Sequence, residues 1–208
     1  MDSITKEKFR KIAKISLKKE VKISAKCRHY AILLNLKEII KITNSKDILF
    51  FVPTKYEPDL LLLRRNLSKK HHIFIPFMQN LSFKMVKLKL PFYKFRFGIR
   101  QNKFKNEFKK RLDLAVVPVI GVDGKMARIG HGKGFYDRFF SGLKYKPIVV
   151  FVEIKDMFIK DIISENHDVR CDFYLTPSKN YLIRGKYDRN FNRLRSRCSG
   201  SWHRIRCN

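Results

Sequence analysis

Five short apolar runs constrain this chain more than anything else in it: Asp47–Pro53, Ile73–Pro76, Leu112–Ile120, Pro147–Glu153 and Cys171–Leu175. They carry little polar alternation, as strands buried on both faces do. None approaches the ~18–20 apolar residues of a membrane span. Between them lie segments with helical spacing. Phe9, Ile12, Ala13 and Leu17 predict a helix over Thr5–Ile23, capped by Ser3 or Thr5, and a second follows over Ala25–Ile42. Pro58 suits the first turn of a helix reaching Ser68. Further helices are expected over Phe135–Leu143 and Asp156–Asn166, with an edge strand or hairpin arm at Phe83–Leu88. Pro91–Lys110 reads as a loop followed by a short basic helix. Strands alternating with helices imply a three-layer α/β/α, Rossmann-like fold with a largely parallel sheet, plus a basic C-terminal extension.

Residues 1–178 are expected to form a single α/β domain. From Lys179 to Asn208 there are nine Lys/Arg against Asp188 alone, without a strong apolar period. That stretch is read as a partly disordered appendage, with a basic contact tail as the rival reading. The whole chain of 208 residues has 47 Lys+Arg and 18 Asp+Glu, a formal net charge of +29. Such charge suits nucleic acid, a polyanionic small substrate, or merely solvated helix faces, so it decides nothing alone. At 44% hydrophobic with 18 Phe, the chain has material for a core and is no disordered basic tail. Cys27, Cys171, Cys198 and Cys207 are few and scattered, which fits reduced thiols in the cytoplasm. The start MDSITKEKFR lacks a signal-peptide pattern.

Five of the nine glycines fall between Gly121 and Gly134, directly after a buried strand and before a helix. In an open α/β sheet that place is the carboxyl edge, where ligands bind. Exposed N–H groups there favour anions, phosphates above all. Arg128, His131 and Lys133 add positive charge. The spacing is not that of a P-loop, because Gly134 follows Lys133 where Ser or Thr is needed.

The string Arg128-Ile129-Gly130-His131-Gly132-Lys133-Gly134-Phe135-Tyr136-Asp137 closely resembles the signature of the 5-formyltetrahydrofolate cyclo-ligase family, Arg-Leu-Gly-x-Gly-x-Gly-Tyr-Tyr-Asp. Other pieces fall in family order: Lys6-Glu7-Lys8-Phe9-Arg10 at the start, Glu57 after a buried strand, Phe97-Gly98-Ile99, His167-Asp168 and Cys171-Asp172. The resemblance covers roughly residues 4–178. Arg100-Gln101-Asn102 departs from the acidic or polar residue and Pro that often follow in the family.

The resemblance implies ATP-dependent conversion of 5-formyltetrahydrofolate to 5,10-methenyltetrahydrofolate by a cytoplasmic monomer, with Mg²⁺ accompanying ATP. It implies catalytic roles for Arg128 and Lys133. ATP would be held by Lys6, Glu7, Lys8, Phe9 and Arg10 and by the loop from Arg128 through Ile129, Gly130, His131, Gly132, Lys133 and Gly134 to Phe135 and Tyr136. Folate would contact Glu57, His131, Gly132, Lys133, Gly134 and Phe135, and Asp137 and Asp172 would ligate the metal. Plainer readings stand beside these. Lys6 and Arg10 suit a solvated helix face, Glu57 a helix-start charge, Asp137 a partner for Arg138, and Asp172 an ordinary strand-end carboxylate. The alternative function is an RNA- or polyanion-binding protein on the same fold. His71-His72 reads as a surface turn, and Cys198, His203 and Cys207 lack metal-site spacing. The aromatics Phe92, Tyr93, Phe95 and Phe97 read as a base-stacking strip or as packing over the cleft.

Overall fold

The computed structural model describes residues 4–54, 56–79, 82–94, 100–103, 106–108 and 111–207, and for 22–28 the backbone alone. Helix α1 runs unbroken over Lys6–Ile42, where two helices were expected. Its sequence holds neither Gly nor Pro, so nothing in the backbone stops it at Ser24. The Thr5 side chain caps it by accepting from the Lys8 N–H. At 1.5 Å per residue, about 55 Å in all, it serves two regions. Phe9, Ala13 and Leu17 pack with Ile120, Ile129 and Ile154, while Ile32, Leu36 and Ile39 join the main core.

The strands are β1 (Asp47–Leu49), β2 (His72–Gln79), β3 (Ser82–Lys87), β4 (Phe92–Lys94), β5 (Arg100–Asn102), β6 (Leu114–Pro118), β7 (Gly121–Val122), β8 (Arg128–Ile129), β9 (Ile148–Val152), β10 (Phe173–Leu175), β11 (Lys179–Ile183) and β12 (Ser201–Ile205). Eight form one sheet in the order β12-β11-β10-β9-β6-β1-β2-β3. Its centre, from β10 to β2, is parallel, and β3 and β11 join antiparallel. The remaining helices are α2 (Arg64–Leu67), preceded by a 3₁₀ turn, α3 (Phe135–Ser141) and α4 (Asp188–Arg197). Side chains alternate across the sheet as period two requires. Ile48, Val116, Val150 and Phe173 face the C-terminal half of α1, α2 and α4, whereas Leu49, Val117, Phe151 and Tyr174 face α3. This is the expected α/β sandwich with a largely parallel sheet. Among the described residues no helix is long and apolar enough to cross a membrane.

Three local expectations differ from the structure. Asp156–Asn166 forms turns, tied by a bridge between Val122 and Phe158, and no helix. The segment after Pro91 supplies the hairpin β4–β5, with its centre outside the described residues. Lys179 to Ile205 is an ordered strand–helix–strand unit that widens the sheet. Leu194 and Trp202 anchor it in the core. Arg193 donates twice to Glu38 Oε1, and the Asn35 side chain exchanges hydrogen bonds with the Ser199 backbone, fixing the unit to α1.

Candidate active site

Strand β6 ends at Pro118 and leads into the β7–β8 hairpin, which delivers Arg128 beneath the glycine loop. The guanidinium is buried. Nε and Nη2 donate to the Pro118 carbonyl at 3.3 and 3.2 Å, and Nη1 donates to Asp137 Oδ2 at 3.3 Å. It lies 5.0 Å from the centroid of the Tyr136 ring. Two glycines are required by this geometry. A Cβ on Gly130 would stand 2.3 Å from Arg128 Nη1, and Gly134 has φ +63° where it opens α3. Arg10, one helical turn beyond Lys6, donates from Nε to the Gly130 carbonyl at 3.0 Å.

Beside the loop is a cleft of about 940 Å³. One wall is His131, Lys133, Phe135 and Tyr136; the other comes from the ends of β1 and β2 and includes Pro53, Tyr56, Glu57 and Met78. Arg128 and Pro118 line it between them. Glu57 Oε2 accepts from the Thr54 N–H at 2.8 Å. Burial pushes the Glu57 carboxyl above its ordinary value, against the pull of the Thr54 hydrogen bonds and the Arg128 charge. Burial and the nearby Glu57 also raise the Tyr136 hydroxyl. His131, at the rim, is held below the usual imidazole value by desolvation and then by Arg128 and Lys14, which favours a neutral ring.

A sequence profile described as the 5-formyltetrahydrofolate cyclo-ligase family matches residues 5–177. The chain belongs to that family. Among curated cyclo-ligases, that of Mycolicibacterium smegmatis is 37% identical over 67 residues, 32% of this chain and 34% of that one. That of Saccharomyces cerevisiae is 31% identical over 112 residues, 51% and 52% of the two chains. The aligned stretches thus span a third and about half of these relatives. The fold is that of the 5,10-methenyltetrahydrofolate synthetases of Aquifex aeolicus (TM-score 0.69, 23% identity, 84% of this chain and 90% of that one) and Mycoplasma pneumoniae (0.65, 19%, 81% and 96%). The cyclo-ligase match stops before β11, so the C-terminal unit lies outside it.

Of the residues expected to act together in a cyclo-ligase, the structure gathers Arg10, Glu57, Arg128 and Gly130 to Tyr136 around one cleft and its loop. Phe9 and Ile129 serve as core, and Glu7 and Lys8 lie exposed in the first turn of α1. Lys6 turns aside: its ammonium pairs with Asp168 and, at 3.6 Å, with Glu165. Glu165, His167 and Asp168 form the tightest set of metal-type ligands among the described residues, but the Lys6 ammonium already supplies their cation.

The two aspartates expected to ligate a metal, Asp137 and Asp172, each meet protein donors in this structure. Asp137 is engaged by Arg128, and its Oδ1 accepts from the Val169 N–H. Asp172 is 2% exposed, accepting from the Val149 N–H at 2.8 Å and from Lys186 Nζ at 2.7 Å. It sits level with Val149, three residues back from Val152 and Pro118 in the parallel register, or about 10 Å at ~3.3 Å per residue. It is a strand-start carboxylate, and the oxygens of both aspartates accept from protein donors.

Sequence reasoning missed Tyr56, Met78, Phe83 and Arg100 in the cleft. Arg100 Nη2 donates to the Pro53 carbonyl at 3.2 Å, which places Arg100 of the departing Arg100-Gln101-Asn102 at the cleft, while Gln101 and Asn102 are buried against the Met78 N–H and the Lys87 carbonyl. Phe97-Gly98-Ile99 lies outside the described residues. So do Phe95 and Phe97 of the aromatic strip, while Phe92 packs on the core. His71 and His72 are taken up by Ser45 and Asp47.

Glu153, at the carboxyl end of β9, is 1% exposed and accepts from the Ile154 N–H at 2.7 Å. Burial, then Glu57, raises its carboxyl well above the ordinary value. A native value above the unfolded one means that the proton stabilises the fold. That contribution is full below the unfolded value and fades as pH rises through the native one. Glu153→Gln is therefore expected to lie nearest the parent in thermal melting at pH 4, below the unfolded value, and to melt higher than the parent at pH 8. A gap that does not widen with pH would show a native Glu153 that titrates normally.

Proposed function

We propose that the chain catalyses the ATP-dependent closure of 5-formyltetrahydrofolate to 5,10-methenyltetrahydrofolate, releasing ADP and phosphate. The observation that carries this is the cleft between the phosphate-type glycine loop and the Glu57 wall, with the buried Arg128 where the two meet. A formamide oxygen is a weak nucleophile and a poor leaving group. Its attack on the γ-phosphorus breaks the bond to ADP and leaves an iminium phosphate. The folate N10 amine then attacks the formyl carbon and gives up its proton to solvent or the departing phosphate, and phosphate leaves with the oxygen.

Little covalent chemistry falls to the protein, which holds the reactants in line and neutralises charge. Arg128 and Lys133 are assigned to the transferring phosphoryl group, with the amides of Gly130, Gly132 and Gly134 around it and Arg10 bracing the loop through Gly130. Glu57 would take the N–H edge of the pterin, and Phe135 and Tyr136 its faces. Mg²⁺ is expected to arrive with ATP, and no step here depends on an Asp137–Asp172 pair. The free thiols of Cys171, Cys198 and Cys207 fit a reducing cytoplasm, and a monomer suffices for the cleft. The test is absorbance: purified protein with 5-formyltetrahydrofolate, ATP and Mg²⁺ should develop the near-ultraviolet band of the methenyl product. The band should require ATP. Folded protein that binds ATP yet forms no product would overturn the assignment.

A further inference from the structure

The C-terminal unit builds a second cleft at the far edge of the sheet. Strand register sets Tyr174 beside Tyr181 and Tyr181 beside His203, so three rings form a row across β10, β11 and β12 on the α3 side. The rings stack at 5.6 and 5.3 Å between centroids, close to the ~4.7–4.9 Å spacing of the strands themselves. Exposure grows outward, from Tyr174 at 0% through Tyr181 at 6% to an exposed His203. Phe158 covers Tyr181 at 4.6 Å, and Asp156 accepts from the Tyr181 hydroxyl. His203 is thus the ring of the row that solvent reaches.

Around it is a cleft of about 700 Å³ lined by Lys160, Lys179, Arg184 and Arg204 against the single carboxylate of Asp156. Asp156 is taken up by Lys179 at 3.5 Å, and Arg204 lies 3.8 Å from Asp188. Lys160 and Arg184 are exposed, with no side-chain partner among the described residues.

We propose that this edge binds single-stranded RNA, one base stacking on His203 and adjacent phosphates meeting Lys160 and Arg184. Cations alone would suit any polyanion. A solvent-facing ring set among them matches the alternation of base and phosphate in a single strand. A duplex hides its base faces and would leave His203 nothing to stack on. As the outermost strand, β12 also lets a bound strand run on past the cleft. The site is separate from the catalytic cleft, so neither proposal depends on the other.

The test is fluorescence anisotropy of the full chain with a labelled oligouridylate of about ten nucleotides, over a range of salt. Lys160→Gln with Arg184→Gln should weaken binding about tenfold and flatten the log–log salt slope by about 1.4, two phosphates at ~0.7 each. Lys69→Gln with Lys70→Gln, an exposed pair losing the same charge, should change affinity by less than about twofold. His203→Ala should cost about tenfold with the slope unchanged. Unchanged thermal melting would show all three variants folded. Equal losses from the two charge pairs, an inert His203→Ala, equal affinity for a duplex, or competition by uridine monophosphate at the oligonucleotide's own concentration would each overturn the proposal.

Discussion

Arg128→Ala is expected to lower kcat/KM for ring closure by about 10²–10³-fold, the scale of losing one preorganised donor to developing charge. Three of the five guanidinium N–H groups hold Pro118 and Asp137. That fixes the plane of the fork and leaves two N–H groups for the cleft that Arg128 lines. Lysine offers a point charge without the fork and cannot hold both anchors. Arg128→Lys should therefore recover little more than the alanine variant. Truncation also leaves Asp137, only 15% exposed, without its cation, so each variant needs a melting curve and assay well below its transition. A kcat/KM within tenfold of the parent in folded Arg128→Ala would remove the guanidinium from the phosphoryl site.

The sheet was legible because its strands are buried on both faces and read as continuous apolar runs. The long helix was misread because its apolar face changes partner along its length. Phe9, Ala13 and Leu17 meet the β7–β8 hairpin, whereas Ile32, Leu36 and Ile39 meet the sheet, and the change of stripe looks like a break. The C-terminal unit was hidden for a different reason. Asn35, Glu38, Leu194 and Trp202 stabilise it through contacts far apart in sequence, and local composition registers only its arginines.

At the site, the glycine loop was legible because close backbone approach leaves glycine as a local signature; Gly130 against Arg128 is the example. Met78 and Phe83 left no such mark. They follow strand alternation like any core residue, and only the fold makes that core face one wall of a cleft. Asp172 stood out only by its place in a recognisable string. Its setting was not legible, because the parallel register that puts it near the amino end of the strands, with Lys186 and the Val149 N–H on its oxygens, joins residues far apart in sequence.

The largest loss of stability is expected from Asp123→Ala, at a carboxylate the motif carries without advertising a role. Asp123 is 0% exposed. Its Oδ1 accepts from the N–H groups of Lys125 and Ala127 at 3.0 and 2.9 Å, closing the turn between β7 and β8. Its Oδ2 accepts from those of Ile163 and Ser164 at 3.2 and 3.0 Å, tying that turn to the segment after β9. Each buried N–H left without an acceptor costs about 1–3 kcal/mol, so alanine should destabilise by at least about 3 kcal/mol. At about 2–4 °C per kcal/mol for a chain of this size, melting should fall by about 10 °C. Asp123→Asn keeps one accepting oxygen and turns an NH₂ toward the other pair of N–H groups, so it should fall between. The same turn carries Arg128, whose own N–H donates to the Val169 carbonyl, and the alanine variant should also bind ATP more weakly below its transition. Melting within about 2 °C of the parent, less than the shift expected for 1 kcal/mol, would mean that water reaches these four N–H groups and that the carboxylate holds nothing the solvent cannot.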